Sequence, residues 1–302
     1  MSTNELDTVL AMLAEQAANT PADLSTEDQR TRFDAGADMM SLPEEPHDIS
    51  ETMLGGIAAR QITPKNAAAN KAVLYFHGGG YMFGSSLSHR HLIARLAVDS
   101  GVRCWGLDYA LAPENPFPAG LDDAYAAYQA LLNSGLGGAD IVLAGDSAGG
   151  GLALALMAKL RDQGSALPAG AVLLSPWVDL TVSSESYQTR KDVDPTVTYE
   201  QLAGLASLYS APEDSKNPLV SPLFADMTSL PPLYIQVGDN EILLDDSRHL
   251  LVKAQADGVK AELDIYPDLF HVFQYFWPML TQGREAAKKA GQRISTMLGL
   301  NA

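Results

Sequence analysis

The chain has 302 residues, 46% of them hydrophobic and 19% charged, a balance found in folded globular proteins rather than disordered ones. Its 20 basic and 37 acidic side chains leave a formal charge of −17, which argues against a nucleic-acid partner and against an anionic membrane surface, because both need a basic face. Cys104 is the only cysteine, so no internal disulfide and no multi-cysteine metal site can form; its place in an apolar run marks a buried thiol. The opening residues lack the positive region of a secretory signal, and no apolar stretch reaches the roughly 18 residues that span a bilayer, so a soluble cytoplasmic protein is expected. The length fits two domains of about 150 residues, or equally one large α/β domain with appended segments.

In chain order, residues 1–45 read as a helical segment. Leu6, Val9, Leu10 and Leu13 recur at helical spacing and share one face. Pro21 ends that helix, and Ser25 with Asp28 resembles a capping box that opens a second. Such a pair is either plain packing or part of a lid. Beyond residue 48, short apolar or β-branched runs at 72–76, 102–107, 141–144, 171–174, 233–237 and 261–266 are separated mostly by helix-length segments. Continuous apolar strands alternating with helices predict a mostly parallel sheet covered on both faces. Residues 49–57 and 58–62 are candidates for an antiparallel edge, and residues 181–230 interrupt the alternation as an insertion with one helix at 199–209.

Gly145-Asp146-Ser147-Ala148-Gly149 follows the 141–144 strand directly and leads into an apolar helical segment. A strand–turn–helix junction of this composition holds a serine in strained, exposed geometry, with the helix start behind it offering free amides to developing negative charge. A phosphate loop would need a lysine beside the serine, and none is there. His77-Gly78-Gly79-Gly80-Tyr81 follows the 72–76 strand. Glycines there let backbone amides approach an acyl oxygen without a Cβ in the way, so the run reads as an oxyanion loop.

A serine hydroxyl needs a base. His271 lies just past the 261–266 strand, at the sheet edge where active-site groups gather in open α/β sheets. His77 suits a structural role on the oxyanion loop, and His47, His89, His91 and His249 are expected at the surface. The acid that orients His271 stands at the end of the 233–237 strand, where Asp239 and Glu241 are both candidates. Asp245 and Asp246 are expected to cap a following helix at 247–256. No metal or cofactor is called for.

Together, His77–Gly80, the stretch from Asp108 to Glu114 (Asp-Tyr-Ala-Leu-Ala-Pro-Glu), Gly145–Gly150 and the acid and histidine loops resemble the hormone-sensitive-lipase-like esterases, a bacterial family of α/β-hydrolase fold. The resemblance runs from about residue 71 to 274 and implies a catalytic domain at 46–302 with a helical cap made from residues 1–45 and an insertion at about 181–215. It implies Ser147 as nucleophile, His271 as base, and Glu241 rather than Asp239 as acid, because the family's acid stands three residues after the glycine that ends the strand. It implies oxyanion donors at Gly79, Gly80 and Ala148, a small-molecule carboxylic ester of short to medium chain as substrate, and a homodimer through the last strand. Tyr81, Phe83, Tyr187, Tyr209 and Leu243 are candidate walls of the substrate pocket. Ala110 departs from the family pattern, which has an arginine there, so local packing is expected to differ. The same residues would also serve an amidase, lactamase or thioesterase, and a non-catalytic ligand binder on this fold is the remaining alternative.

Overall fold

The computed structural model describes residues 4–21 and 23–300, so the first three positions and Ala22 of the expected N-terminal segment, and the last two of the chain, lie outside the described residues. Helix α1 (Glu5–Ala18) is capped by the Asn4 side chain, which accepts from Asp7 N at 2.9 Å. Helix α2 (Thr26–Ala35) is capped by Ser25, which accepts from Asp28 N at 3.1 Å. Strands β1 (His47–Leu54) and β2 (Ile57–Pro64) then form an antiparallel hairpin. The turn falls at Gly55 and Gly56, at φ 64° and 87°, because a tight hairpin needs two positive-φ residues. The first edge strand therefore stops three residues short of the expected 57, and Ile57 opens the second.

Strand β3 (Ala68–Phe76), helix α3 (Arg90–Ser100), strand β4 (Val102–Leu107), helix α4 (Ala119–Asn133), strand β5 (Ile141–Asp146), helix α5 (Ala148–Asp162) and strand β6 (Gly170–Leu174) follow. The insertion holds α6 (Ser186–Thr189) and α7 (Tyr199–Tyr209) before strand β7 (Leu233–Gly238), helix α8 (Leu244–Ala256), strand β8 (Ala261–Tyr266) and helix α9 (Thr281–Met297). The sheet has eight strands in the order β1-β2-β4-β3-β5-β6-β7-β8, antiparallel at β1, β2 and β4 and parallel from there on. Every residue of β5, β6 and β7 is buried, which is why these strands read as unbroken apolar runs rather than alternating ones.

Alternation along the strands sends Val73, Tyr75, Val142, Val172 and Leu174 to the face covered by α3 and α9. Leu74, Phe76, Leu143, Leu173 and Ile235 face α4, α5 and α8. The parallel register puts the carboxyl ends of β3, β5, β7 and β8, and the loops that follow them, along one edge. Both appended segments pack on that edge. The predicted apolar face of α1, with Val9 at its centre, packs on Leu269, Phe270, Phe273 and Phe276. From α2, Arg30 donates to the carbonyl oxygens of Met82 and Ala112 at 2.8 Å each and pairs with Glu114, so the stretch that lacks an arginine at Ala110 is held by a guanidinium from another element. From α7, Tyr209 stacks on Tyr81 with ring centres 3.8 Å apart, and Leu205 lies against Gly80.

Helix α8 begins at Leu244, three residues before the expected 247, and Asp246 is not its cap. That carboxylate is wholly buried and accepts from Val178 N at 2.9 Å, Asp179 N at 3.0 Å and the Tyr187 hydroxyl at 3.0 Å; burial pushes it up to about 8. Among the described residues no helix is long and apolar enough to cross a membrane.

The start of α5 packs directly on the backbone at the end of β3. A Cβ at Gly149 would collide with the Phe76 carbonyl oxygen and stand 2.6 Å from that of His77, both backbone atoms with no room to yield. Gly149→Ala is therefore expected to destabilise the protein by about 1–3 kcal/mol, the usual range for overpacking. Urea unfolding checks this, and a wild-type midpoint would contradict it.

Candidate active site

Ser147 sits between β5 and α5 at φ 52° and ψ −123°, a backbone conformation that costs a non-glycine residue about 1–3 kcal/mol. Its surroundings hold it there: its amide donates to Leu174 O at 2.9 Å, and its carbonyl accepts from Trp177 N at 2.9 Å and Gly150 N at 3.0 Å. The turn leaves Ser147 Oγ 3.0 Å from His271 Nε2. His271 Nδ1 lies 2.7 Å from Glu241 Oε2.

Glu241 is completely buried, and both of its oxygens are used. Oε1 accepts from Gly238 N at 2.5 Å and from the Ser175 hydroxyl at 2.9 Å. Ser175, at φ 46°, also accepts from Val272 N at 3.2 Å, so one hydroxyl ties the acid to the loop that carries His271. A buried carboxylate is tolerable only with such a set of donors. Asp239, the alternative acid, is turned elsewhere and accepts from Asp268 N at 2.7 Å. Burial alone would lower the His271 pKa, but the Glu241 hydrogen bond and charge outweigh it and hold the imidazole above its ordinary value, with Asp194 acting in the same sense. Burial raises the Glu241 carboxyl, which the His271 bond opposes only in part.

On the glycine loop, Gly78 N donates to Asp146 Oδ1 at 3.0 Å and is thereby occupied. Among the described residues the amides of Gly79, Gly80 and Ala148 donate to no protein acceptor. Gly79 stands at φ 110° and Gly80 at φ 62°, conformations that suit glycine. A hydroxyl beside an imidazole, a carboxylate behind the imidazole, and free amides at the helix start and the glycine loop are the parts that acyl transfer requires. Among the described residues no group of three or more His, Cys, Asp or Glu side chains could hold a metal ion.

The five candidate wall residues separate. Tyr81 and Tyr209 form their stacked pair beside the glycine loop, and Phe83 is half-buried there. Tyr187 is instead anchored in the core through Asp246, and Leu243 is fully enclosed next to α8. Two of the histidines expected at the surface are buried. His91, on α3, donates from Nε2 to Tyr275 O at 2.8 Å and meets the Tyr275 ring edge-on, and burial pushes its pKa down to about 3. His89 packs against Asp146, while His249 is exposed and His47 half-buried. His77 is buried and stacked on Tyr109, and its pKa falls to about 3. Sequence reasoning missed Ser175, Asp194 and Arg30. Ser175 stands at the carboxyl end of β6 and was open to the same strand-end argument that found His271; nothing in the sequence marks the other two.

The α/β-hydrolase fold family matches residues 73–275. The chain is 44% identical over 229 residues to an acetyl-hydrolase of Streptomyces hygroscopicus, spanning 76% of this chain and 77% of that one. It is 37% identical over 246 residues to an esterase of Acinetobacter venetianus, covering 81% of each. The crystal structure of an esterase from the bacterial hormone-sensitive lipase family superposes with a TM-score of 0.94 at 41% identity, covering 99% of this chain and 100% of the other. The chain belongs to the α/β-hydrolase family and, within it, to the bacterial hormone-sensitive-lipase-like esterases.

If His271 is the base, its protonated form cannot take a proton from Ser147, so activity falls as pH drops through its pKa. Because that pKa is raised, the midpoint of the acid limb of kcat/KM is expected above the ordinary imidazole value of about 6.5. A profile flat from about pH 5 to 8 would contradict a histidine base.

Proposed function

We propose that this protein is a carboxylic ester hydrolase that works through an acyl-enzyme on Ser147. The single observation that carries the reading is the unbroken chain of contacts from Ser147 Oγ to His271 at 3.0 Å and from His271 to Glu241 at 2.7 Å. His271 takes the Ser147 proton as Oγ attacks the acyl carbon. Glu241 fixes the imidazole with its proton on Nδ1 and stabilises the imidazolium that forms. The oxyanion is received by the amides of Gly79, Gly80 and Ala148, which have no competing protein acceptor among the described residues. His271 then protonates the leaving alcohol, and water releases the acyl group by the same steps in reverse. This route uses no metal and no cofactor.

Residues 1–45 and the insertion at about 181–215 act in this reading as a cap. Support comes from their contacts: α1 on the His271 loop, Arg30 on Met82, and α7 on Gly80 and Tyr81. With Ser147 only 7% exposed beneath these elements, the substrate is a short acyl ester in this reading, in keeping with a relative named for acetyl hydrolysis. The β8 strand is an open edge of the sheet, and we extend the proposal to a homodimer paired through it.

The test is hydrolysis of p-nitrophenyl butyrate. Ser147→Ala is expected to lose at least about 10³-fold in kcat, and Glu241→Ala about 10⁴-fold, the order seen when the acid of such a triad is removed. Asp239→Ala should stay within a few-fold of wild type; a dead Asp239→Ala beside an active Glu241→Ala would reverse the assignment. In an acyl-chain series the C4 ester should be cleaved faster than the C16 ester. The opposite order would sink the short-chain reading.

A further inference from the structure

Behind Ser147 lies a second buried carboxylate–histidine pair that the proposed mechanism does not use. Asp146, the residue before the serine, is 2% exposed. Its Oδ1 accepts from the Tyr75 hydroxyl at 2.6 Å and from Gly78 N at 3.0 Å, and its Oδ2 lies 3.3 Å from His89 Nε2. Gly78 has no side chain because that space is taken: a Cβ there would collide with Asp146 Oδ2. The carboxylate therefore touches the glycine loop twice, by a hydrogen bond and by direct packing, one residue before the Gly79 amide.

His89 is itself 2% exposed, and it is the only basic side chain paired with Asp146 among the described residues. Its Nδ1 is 2.9 Å from Ser88 Oγ, and the rings of four neighbours enclose it. Phe33 of α2 stacks on it at 6.0 Å, His77 lies at 5.6 Å, Tyr75 at 6.5 Å, and Tyr275 of the His271 loop meets it edge-on at 5.5 Å. Burial would raise the Asp146 pKa, but the charge and hydrogen bond of His89, then that of Tyr75, outweigh it and hold the carboxyl below its usual value. Without His89, Asp146 would be a buried carboxylate with its second oxygen unpaired. Such a group moves toward water or takes up a proton, and either response loosens its hold on Gly78.

We infer that His89 is a positioning residue for the oxyanion loop: through Asp146 it fixes the Gly78 amide, and thereby aims the Gly79 and Gly80 amides. The inference rests on the ester-hydrolase reading above. It predicts a particular kinetic pattern, because a displaced oxyanion loop weakens the transition state and leaves ground-state binding nearly intact.

The experiment compares wild type with His89→Phe, which keeps a ring among its aromatic neighbours but removes the donor, and with His89→Gln, whose amide can reach Asp146 in place of Nε2. On p-nitrophenyl butyrate, His89→Phe should lose at least about 30-fold in kcat with KM within about threefold, below the 10²- to 10³-fold cost of deleting an oxyanion donor outright. The inhibition constant of a trifluoromethyl ketone, whose adduct places an oxyanion on the loop, should rise by the same factor as kcat/KM falls. His89→Gln should recover most of both. A His89→Phe enzyme within threefold of wild type overturns the inference, and so does a loss of activity that the ketone does not follow, which would mean a merely structural role. If His89→Phe does not fold, His89→Asn takes its place, since its amide keeps the Ser88 contact and leaves Asp146 without a donor; the same two readouts decide. An inactive wild type would instead strike at the ester-hydrolase reading, so the two failures are separable.

Discussion

A serine held at φ 52° between a buried strand and a helix is the constraint from which the rest of the site follows. The turn is tight enough that α5 begins in contact with the backbone of the neighbouring strand β3. That contact leaves no room for a side chain at Gly149, and little at Gly145, where a Cβ would stand 2.5 Å from the Gly149 carbonyl. The same closeness brings the glycine loop after β3 beside the helix start. One strained residue thus sets the direction of the hydroxyl towards His271, the free amide of Ala148 and the position of the loop that carries Gly79 and Gly80. The strain persists because a parallel sheet, buried on both faces, cannot relax around it.

Buried carboxylates are the second organising feature. Glu241, Asp146 and Asp246 are all enclosed, and each stands where a loop must be fixed. Glu241 joins the β7 loop to His271 and, through Ser175, to Val272. Asp146 joins the serine turn to the glycine loop, and Asp246 joins α8 to residues 178 and 179 at the start of the insertion. Such groups are costly to bury without partners, which makes their geometry specific: each accepts three contacts from defined donors. They differ in charge balance. Glu241 faces His271 and Asp146 faces His89, whereas Asp246 has only neutral donors and the Asp179 charge nearby, and its pKa rises to about 8.

Much of this was legible from the sequence because it depends on local rules. Unbroken apolar runs gave the parallel strands, helical periodicity gave the α1 face that packs on Phe270 and Phe273, and the small residues around Ser147 gave the turn. The edge hairpin was misplaced because the Gly55-Gly56 turn overrides the apolar count around it. His89 and His91 were expected at the surface because a histidine at or near a helix is polar on average; Tyr275, which packs on both rings, and Phe33 and Asp146, which pack on His89, come from distant parts of the chain and bury them. Asp246 looked like a cap for the same reason, since composition near a helix start cannot distinguish a terminal carboxylate from one whose partners lie some 70 residues away.

The sequence by itself determined the strand–turn–helix junction at Ser147, the glycine loop, the succession of strands and helices along the chain beyond the edge hairpin, and the position of His271 past the last strand. Each follows from residue types within a few positions of one another. Residue types alone left Asp239 and Glu241 open, with the family resemblance favouring Glu241, and the tertiary structure puts Glu241 beside His271 and turns Asp239 away; only the tertiary structure decided that Ser175 bridges Glu241 to the His271 loop, that Arg30 reaches a loop some 80 residues away, and that His89 stands behind Asp146. These pairings join elements distant in the chain, and packing alone sets which side chains meet in a space where an unpaired polar group costs too much to persist.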